Sequence, residues 1–161
     1  MRGVIKMLDK KLFYFNVDVD NKEDLLERIG KDLYDSGYVK DTYIQALHER
    51  EEEFPTGLPL NVGVAIPHTS IEHVNSNKLV FIKPKKSIVF HEMGNNDEEV
   101  NVELVIFIVI KDEHNHMKAL STIIDIIQDE TILTSLVEAN DKDAFEEIIL
   151  NKFEINLEGD N

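Results

Sequence analysis

Glu103-Leu104-Val105-Ile106-Phe107-Ile108-Val109-Ile110 is the stretch that decides the fold of this chain. A strand with one face in water alternates apolar and polar residues. A nearly unbroken Val, Ile, Leu and Phe run predicts instead a central strand covered on both faces. The run is far too short for a membrane span, which needs ~20 apolar residues. From Asn115 the hydrophobic period changes from two to about 3.6, and Met117, Leu120, Ile123, Ile124 and Ile127 form a predicted helical stripe. Beyond it, Thr131 to Val137 reads as a short helix. Asn140, with Asp143 three residues on, is placed to cap a last helix carrying Phe145, Ile148 and Ile149.

Upstream, Lys78 to Lys83 and Ser87 to Phe90 read as strands separated by Pro84 and a lysine pair, and Gly94-Asn95-Asn96-Asp97 as a turn. Val62 to Ile66 is a further strand, preceded by a break at Pro55, Gly57 and Pro59. A helix is expected from Asp41 to Glu52 with Ile44 and Leu47 inward. Before it, Asp20 and Glu23 resemble a capping box opening a helix built on Leu25, Leu26, Ile29 and Leu33, which Ser36-Gly37 ends. Leu12 to Val17 is the first strand. The predicted order is β-α-α-β-β-β-β-α-α-α, with helices on both sides of a block of strands. The expected fold class is therefore α/β (α+β): a single three-layer α/β/α domain whose mixed sheet is flanked by helices on both faces. The domain is expected over residues 7–153, followed by a polar tail over 154–161, frayed from Asn156 onward.

Composition narrows the functions. With 17 basic and 32 acidic residues among 161, the net charge is −15. Such a surface repels polyphosphate backbones and anionic membranes, so no nucleic acid partner and no direct membrane insertion are expected. There is no cysteine, hence no disulfide or thiol chemistry. The N-terminal residues lack the apolar stretch and cleavage site of a secretory signal, and the expected location is cytoplasmic.

The strand that closes in Ala65-Ile66-Pro67-His68-Thr69 carries an imidazole onto a stiff turn, because proline fixes φ and ends the ladder. At neutral pH much of a histidine is uncharged, with one lone pair free to attack. A strand-end histidine that only hydrogen-bonds a turn would look the same. Arg50, within His48-Glu49-Arg50-Glu51-Glu52-Glu53, is the second candidate. A guanidinium matches tetrahedral oxyanions with two parallel hydrogen bonds, although a solvated helix face also explains it. The Glu51-Glu52-Glu53 run reads most simply as solvated. His116 is the third candidate, at a predicted helix start where backbone N–H groups favour an anion. His114-x-His116 offers two metal ligands but no third at a recognised spacing. No glycine-rich dinucleotide loop, Walker lysine motif, nucleophile elbow or H-E-x-x-H is present, so no cofactor is expected.

Together these residues resemble the enzyme IIA family of the bacterial sugar phosphotransferase system, in its mannitol/fructose class. The resemblance rests on Arg50-Glu51, on Pro55-Thr56-Gly57-Leu58, and on Gly63-Val64-Ala65-Ile66-Pro67-His68. It continues through the long apolar strand to His116-Met117-Lys118-Ala119-Leu120-Ser121. Phe90-His91-Glu92-Met93-Gly94, with Val100 and Val102, is most similar to the galactitol-specific branch. Where many relatives carry a carboxylate two residues after the histidine, this chain has Ser70. The resemblance implies a phosphotransferase in which His68 accepts a phosphoryl group from the carrier HPr and passes it to the cysteine of enzyme IIB. Arg50 and His116 would then bind the phosphoryl oxygens. The alternatives are a regulatory phosphorylation sensor on the same domain, which the motifs do not distinguish from a transport component, and a metal-binding protein using His114 and His116.

Overall fold

The computed structural model describes residues 7–158. Residues 1–6, part of the segment read as lacking a secretory signal, and residues 159–161 of the predicted tail lie outside the described residues. The elements run β1 (Leu8–Val17), α1 (Lys22–Asp35), α2 (Tyr43–Glu53), β2 (Gly57–Leu58), β3 (Val64–Ala65), β4 (Lys78–Pro84), β5 (Ile88–Glu92), β6 (Asn95–Val102), β7 (Leu104–Val109), α3 (Glu113–Ile127), α4 (Glu130–Val137) and α5 (Lys142–Lys152). A single 3-10 turn spans Ile71–His73.

The strands form one mixed sheet in the order β1-β4-β7-β3-β2-β5-β6. β4 and β7 pair antiparallel, while β1–β4, β7–β3 and β2–β5 pair parallel. β7 has both faces covered, as its composition requires. Val105, Phe107 and Val109 enter a core shared with Leu25, Ile29, Tyr43 and Leu47 of α1 and α2. Leu104, Ile106 and Ile108 enter the opposite core, shared with Ile123, Ile127, Leu136, Phe145 and Ile149 of α3 to α5. Each buried side chain of this size contributes ~1.5–3 kcal/mol through area removed from water. The three-layer arrangement follows from this alternation.

Local details depart from the sequence-based expectation for identifiable reasons. Asn21 rather than Asp20 caps α1, its side chain accepting Asp24 N–H. Asp141 rather than Asn140 caps α5, accepting Ala144 N–H. In both, adjacent residues are competent caps and the extended backbone geometry selects one. Met117 does not belong to the inner stripe: it is 64% exposed. The buried face of α3 runs through Asn115, Ala119, Ile123 and Ile127, and a residue two positions from Asn115 points the other way. The turn expected over residues 94–97 is only its first part. Glu92 already pairs with Asn95, Gly94 takes φ +83°, and Asn95 starts β6, a polar strand without the apolar alternation that announces one. Within the predicted tail, Glu158 is held. Glu158 N–H donates to Asn115 Oδ1 at 2.9 Å, and Asn115 Nδ2 donates to the Glu158 carbonyl at 2.8 Å.

β2 and β3 are only two residues long, and the five-residue strand expected over Val62–Ile66 is reduced to Val64–Ala65. Backbone proximity holds this region. A Cβ at Gly63 would lie 2.0 Å from the Asn101 carbonyl oxygen, and one at Gly57 would lie 2.5 Å from that of His91. Only glycine fits at these two crossings.

Candidate functional site

The sheet brings the end of β3 alongside β7. Val64 and Ala65 pair in parallel with Leu104 and Val105, and the Pro67 carbonyl accepts Ile108 N–H at 3.2 Å. The chain after β3 therefore leaves the sheet beside the strand that leads into α3. His68 stands on the first exit and His116 in the first turns of α3, with ring centroids 5.2 Å apart and planes inclined by 54°. Two histidines far apart in sequence become neighbours because two parallel strands do.

Arg50 reaches the site from the other face of the sheet. It lies in the last turn of α2, exposed, its guanidinium carbon 4.6 Å from the centroid of the Phe54 ring. Stacking of this kind holds a long side chain in place without hiding its donors. The Arg50 charge is felt at both imidazoles and disfavours their protonation. The structure thus pairs His68 with His116 and places Arg50 within electrostatic reach of both.

His68 is partly buried, and its Nδ1 lies 2.7 Å from the Ile66 carbonyl oxygen. A carbonyl can only accept, so Nδ1 carries the proton and Nε2 keeps its lone pair. Burial is the main cause that lowers the His68 pKa to about 4, assisted by the His116 ring and Arg50 and opposed by the Ile66 bond. The ring is therefore neutral at pH 7. His116 is also pushed down, chiefly by burial, with Glu113 opposing. Its Nε2 is buried without a hydrogen-bond partner among the described residues, a costly condition that an incoming oxyanion or hydroxyl would relieve. The arrangement can present an uncharged nucleophilic nitrogen to an electrophile whose negative oxygens are met by a guanidinium, an imidazole and the N-terminal end of α3.

His114 and His116 diverge. His114 is exposed and lies with Nε2 2.9 Å from Glu158 Oε2, away from the pair formed by His116 and His68. Among the described residues no three His, Cys, Asp or Glu side chains cluster as metal ligands.

Glu51 departs from the solvated run expected of three consecutive glutamates: it is 2% exposed. Its Oε2 accepts Thr56 N–H at 2.8 Å and its Oε1 accepts the Thr56 hydroxyl at 2.9 Å. Desolvation raises its pKa to about 7 against these bonds and the nearby Lys22. The sequence does carry a signal for this burial, since Tyr43, Leu47 and Glu51 are spaced by four and share the inner face of α2. The adjoining Glu52 and Glu53 conceal it.

Residues 6–152 match the model of a family described as "Phosphoenolpyruvate-dependent sugar phosphotransferase system, EIIA 2". The galactitol-specific EIIA component of Escherichia coli K12 is 30% identical over 138 residues, covering 83% of this chain and 91% of that protein. The mannitol-specific enzyme IIA component of Staphylococcus aureus Mu50 is 30% identical over 138 residues, covering 84% and 89%. Among solved structures, the Escherichia coli mannitol enzyme IIA in complex with phosphorylated mannitol enzyme IIB superposes with a TM-score of 0.73. It has 24% identity, and the match covers 89% of this chain and 97% of that one. The crystal structure of Escherichia coli mannitol IIA gives 0.70 at 23% identity, covering 88% and 98%. Among the described residues no helix is long and apolar enough to cross a membrane.

Proposed function

The chain belongs to the EIIA 2 family of the phosphoenolpyruvate-dependent sugar phosphotransferase system and is a phosphotransferase component of it, and on that premise we propose that His68 is its phosphoryl carrier. The group arrives from the phosphohistidine of HPr and leaves to the cysteine of enzyme IIB. The observation that carries this reading is the Ile66 carbonyl bound to Nδ1, which leaves Nε2 as the nucleophile.

In the accepting step, His68 Nε2 forms a bond to phosphorus as the P–N bond of the donor phosphohistidine breaks, and the electron pair of that bond returns to the HPr ring. Nδ1–H stays on the Ile66 carbonyl, which stabilises the partial positive charge that develops on the His68 imidazole. In the donating step a IIB thiolate displaces His68 from phosphorus. Such transfers depend on in-line positioning and charge stabilisation rather than on further covalent help. Arg50 and His116 take the equatorial oxygens. Because His68 is neutral down to about pH 4, no deprotonation precedes attack at neutral pH. The strongly acidic remainder of the surface is tolerated because charges beyond ~10 Å are largely screened.

The proposed role is transport of a sugar alcohol, with galactitol favoured by the Phe90–Gly94 hairpin sequence and by the galactitol relative. The hairpin marks the branch; the sugar itself need not touch this domain. The reading is tested by incubating the protein with enzyme I, HPr and labelled phosphoenolpyruvate, then mapping acid-labile phosphate. His68→Ala is expected to fold normally and to take up none. Undiminished labelling of that variant would overturn the assignment.

A further inference from the structure

Four hydrogen bonds, two of them side by side between Glu51 and Thr56, make a three-link path from the buried end of α2 to the proposed nucleophile. Glu51 accepts both donors of Thr56, at 2.8 and 2.9 Å. The Thr56 hydroxyl, its proton committed to Glu51, accepts Ile66 N–H at 3.2 Å. Ile66 then offers its carbonyl to His68 Nδ1–H at 2.7 Å. With Glu51 ionised, every donor has an acceptor and the direction of each bond is fixed by chemistry. A carboxylate can only accept, so the hydroxyl must point to it, and its lone pairs are then turned toward Ile66. Thr56 and Ile66 are both buried, so water cannot substitute for a missing member.

We propose that Glu51 and Thr56 are positioning residues for His68: the carboxylate orients the Thr56 hydroxyl, the hydroxyl fixes the Ile66 backbone, and the Ile66 carbonyl thereby holds the ring in its Nδ1–H tautomer facing Arg50 and His116. The proposal rests on His68 being the phosphoryl acceptor and adds the residues that set its geometry. Arg50 and Glu51 are consecutive, so one helix end delivers the guanidinium outward and the anchoring carboxylate inward. A shift of that end would displace the oxyanion donor and the nucleophile together. Transfer is sensitive to such displacement, because misplacement of ~1 Å can cost on the order of a hundredfold in rate.

The chain of bonds also has a place where a proton would disturb it. Protonated on Oε1, Glu51 would donate to the Thr56 hydroxyl instead of accepting from it, so that hydroxyl would have to turn and its bond to Ile66 N–H would no longer be fixed. Burial places that titration at about 7, whereas His68 is held neutral far below this. The groups facing Glu51 are Lys22 from α1, Glu52 from its own helix and His91 from β5, around a small polar cavity of about 160 Å3. Lys22 Nζ lies 3.4 Å from His91 Nδ1 and favours the ionised carboxylate. His91 lines the same cavity, and its part is separated experimentally by substitution.

The test uses nitrogen-15 NMR of the His68 ring in the full chain, together with single-turnover transfer from phospho-HPr. Thr56→Ser keeps the hydroxyl and is expected to retain the Nδ1–H tautomer and a rate within about twofold of wild type. Thr56→Val keeps the shape but not the hydroxyl. It is expected to show tautomer averaging and a rate at least about tenfold lower, with an intact amide spectrum. In the unsubstituted protein the ring resonances should move with a midpoint near pH 7. Glu51→Gln should abolish that transition and His91→Gln should keep it, which holds the test open even if Thr56→Val fails to fold. A folded Thr56→Val with wild-type tautomer and rate, or a midpoint that survives in Glu51→Gln, overturns the proposal. A wild-type protein that takes no phosphate from phospho-HPr would overturn the carrier assignment instead. The ring measurements, made without HPr, would still decide the hydrogen-bond relay.

Discussion

The two halves of the sheet are built differently. β1, β4 and β7, of 10, 7 and 6 residues, pair over long ladders and fill a core on each face. β2 and β3, of two residues each, form only short ladders and bring backbones together at Gly57 and Gly63, although Val64 and Ala65 are themselves fully buried. The long half is stabilised by apolar area, which tolerates small errors of position. The short strands add polar contacts and close approaches to their apolar burial, and these do not. His68 leaves the sheet at the seam, with the rigid β7 on one side and the hydrogen-bonded turn of Thr56 on the other. That division lets a stable domain carry a desolvated, partner-poor pair of imidazoles.

The largest expected effect separates the halves by stability. Phe107→Ala, in the middle of β7 and fully buried, should cost ~3–5 kcal/mol in denaturant unfolding through lost transfer energy and the cavity left behind. A cost near zero would mean the central strand does not carry the fold. Gly63→Ala should come next, at ~1–3 kcal/mol, because its Cβ meets the backbone carbonyl of Asn101, near the end of β6, which cannot swing aside. It should also slow phosphoryl transfer, whereas Phe107→Ala should leave the rate of the remaining folded protein nearly unchanged. Equal rate losses in both variants would erase the distinction between the halves.

Arg50→Lys sharpens the comparison at the site. An exposed ion pair on a helix face would accept lysine, since such pairs contribute only ~0–1 kcal/mol. A guanidinium that forks onto phosphoryl oxygens would not. The variant should fold as wild type and transfer at least roughly tenfold more slowly by rapid quench, or ~1.4 kcal/mol in the barrier. A rate equal to wild type would return Arg50 to the solvated surface.

The smallest expected net effect is that of pH, because two buried groups titrate in opposite senses. His68 has its folded pKa lowered to about 4 from the ordinary 6.5, so the unfolded chain binds the proton first on acidification. Its contribution to stability is complete above pH 6.5 and is lost as pH falls toward 4. Glu51, raised to about 7, works in the opposite sense, losing stability as pH rises from about 4.5 to 7. Comparing urea midpoints at pH 7 and pH 5 in wild type and His68→Gln isolates the histidine. The wild-type protein should lose more on acidification than the variant, and an equal loss would show that His68 is not desolvated.

Several features of the site are legible in short stretches of chain. Pro67-His68 at a strand end, Arg50 in a helix poor in positive charge and His116 near a helix start are local patterns, and each lies where that pattern places it. Less legible are residues whose role depends on what lies across the chain. Glu51 belongs to an acidic run and becomes an anchor only because Thr56 folds back onto it. Met117 fits a helical stripe by hydrophobicity, yet the stripe that is buried runs through Asn115 and Ala119. Asn115, polar, is buried because the segment ending the described residues returns to meet it through Glu158.

The order of residues is enough to require helices over both faces of a mixed sheet, because an unbroken apolar strand leaves neither face for water. It is also enough to place a proline-braced histidine at a strand end. Strand order is different in kind: it arises from tertiary assembly, and with it comes the side-by-side exit of β3 and β7. Hydrophobic period reports which side of an element is buried, but not which neighbour buries it. The pairing of His68 with His116, and the desolvation that keeps both neutral, arise from that neighbourhood and from no shorter stretch of chain.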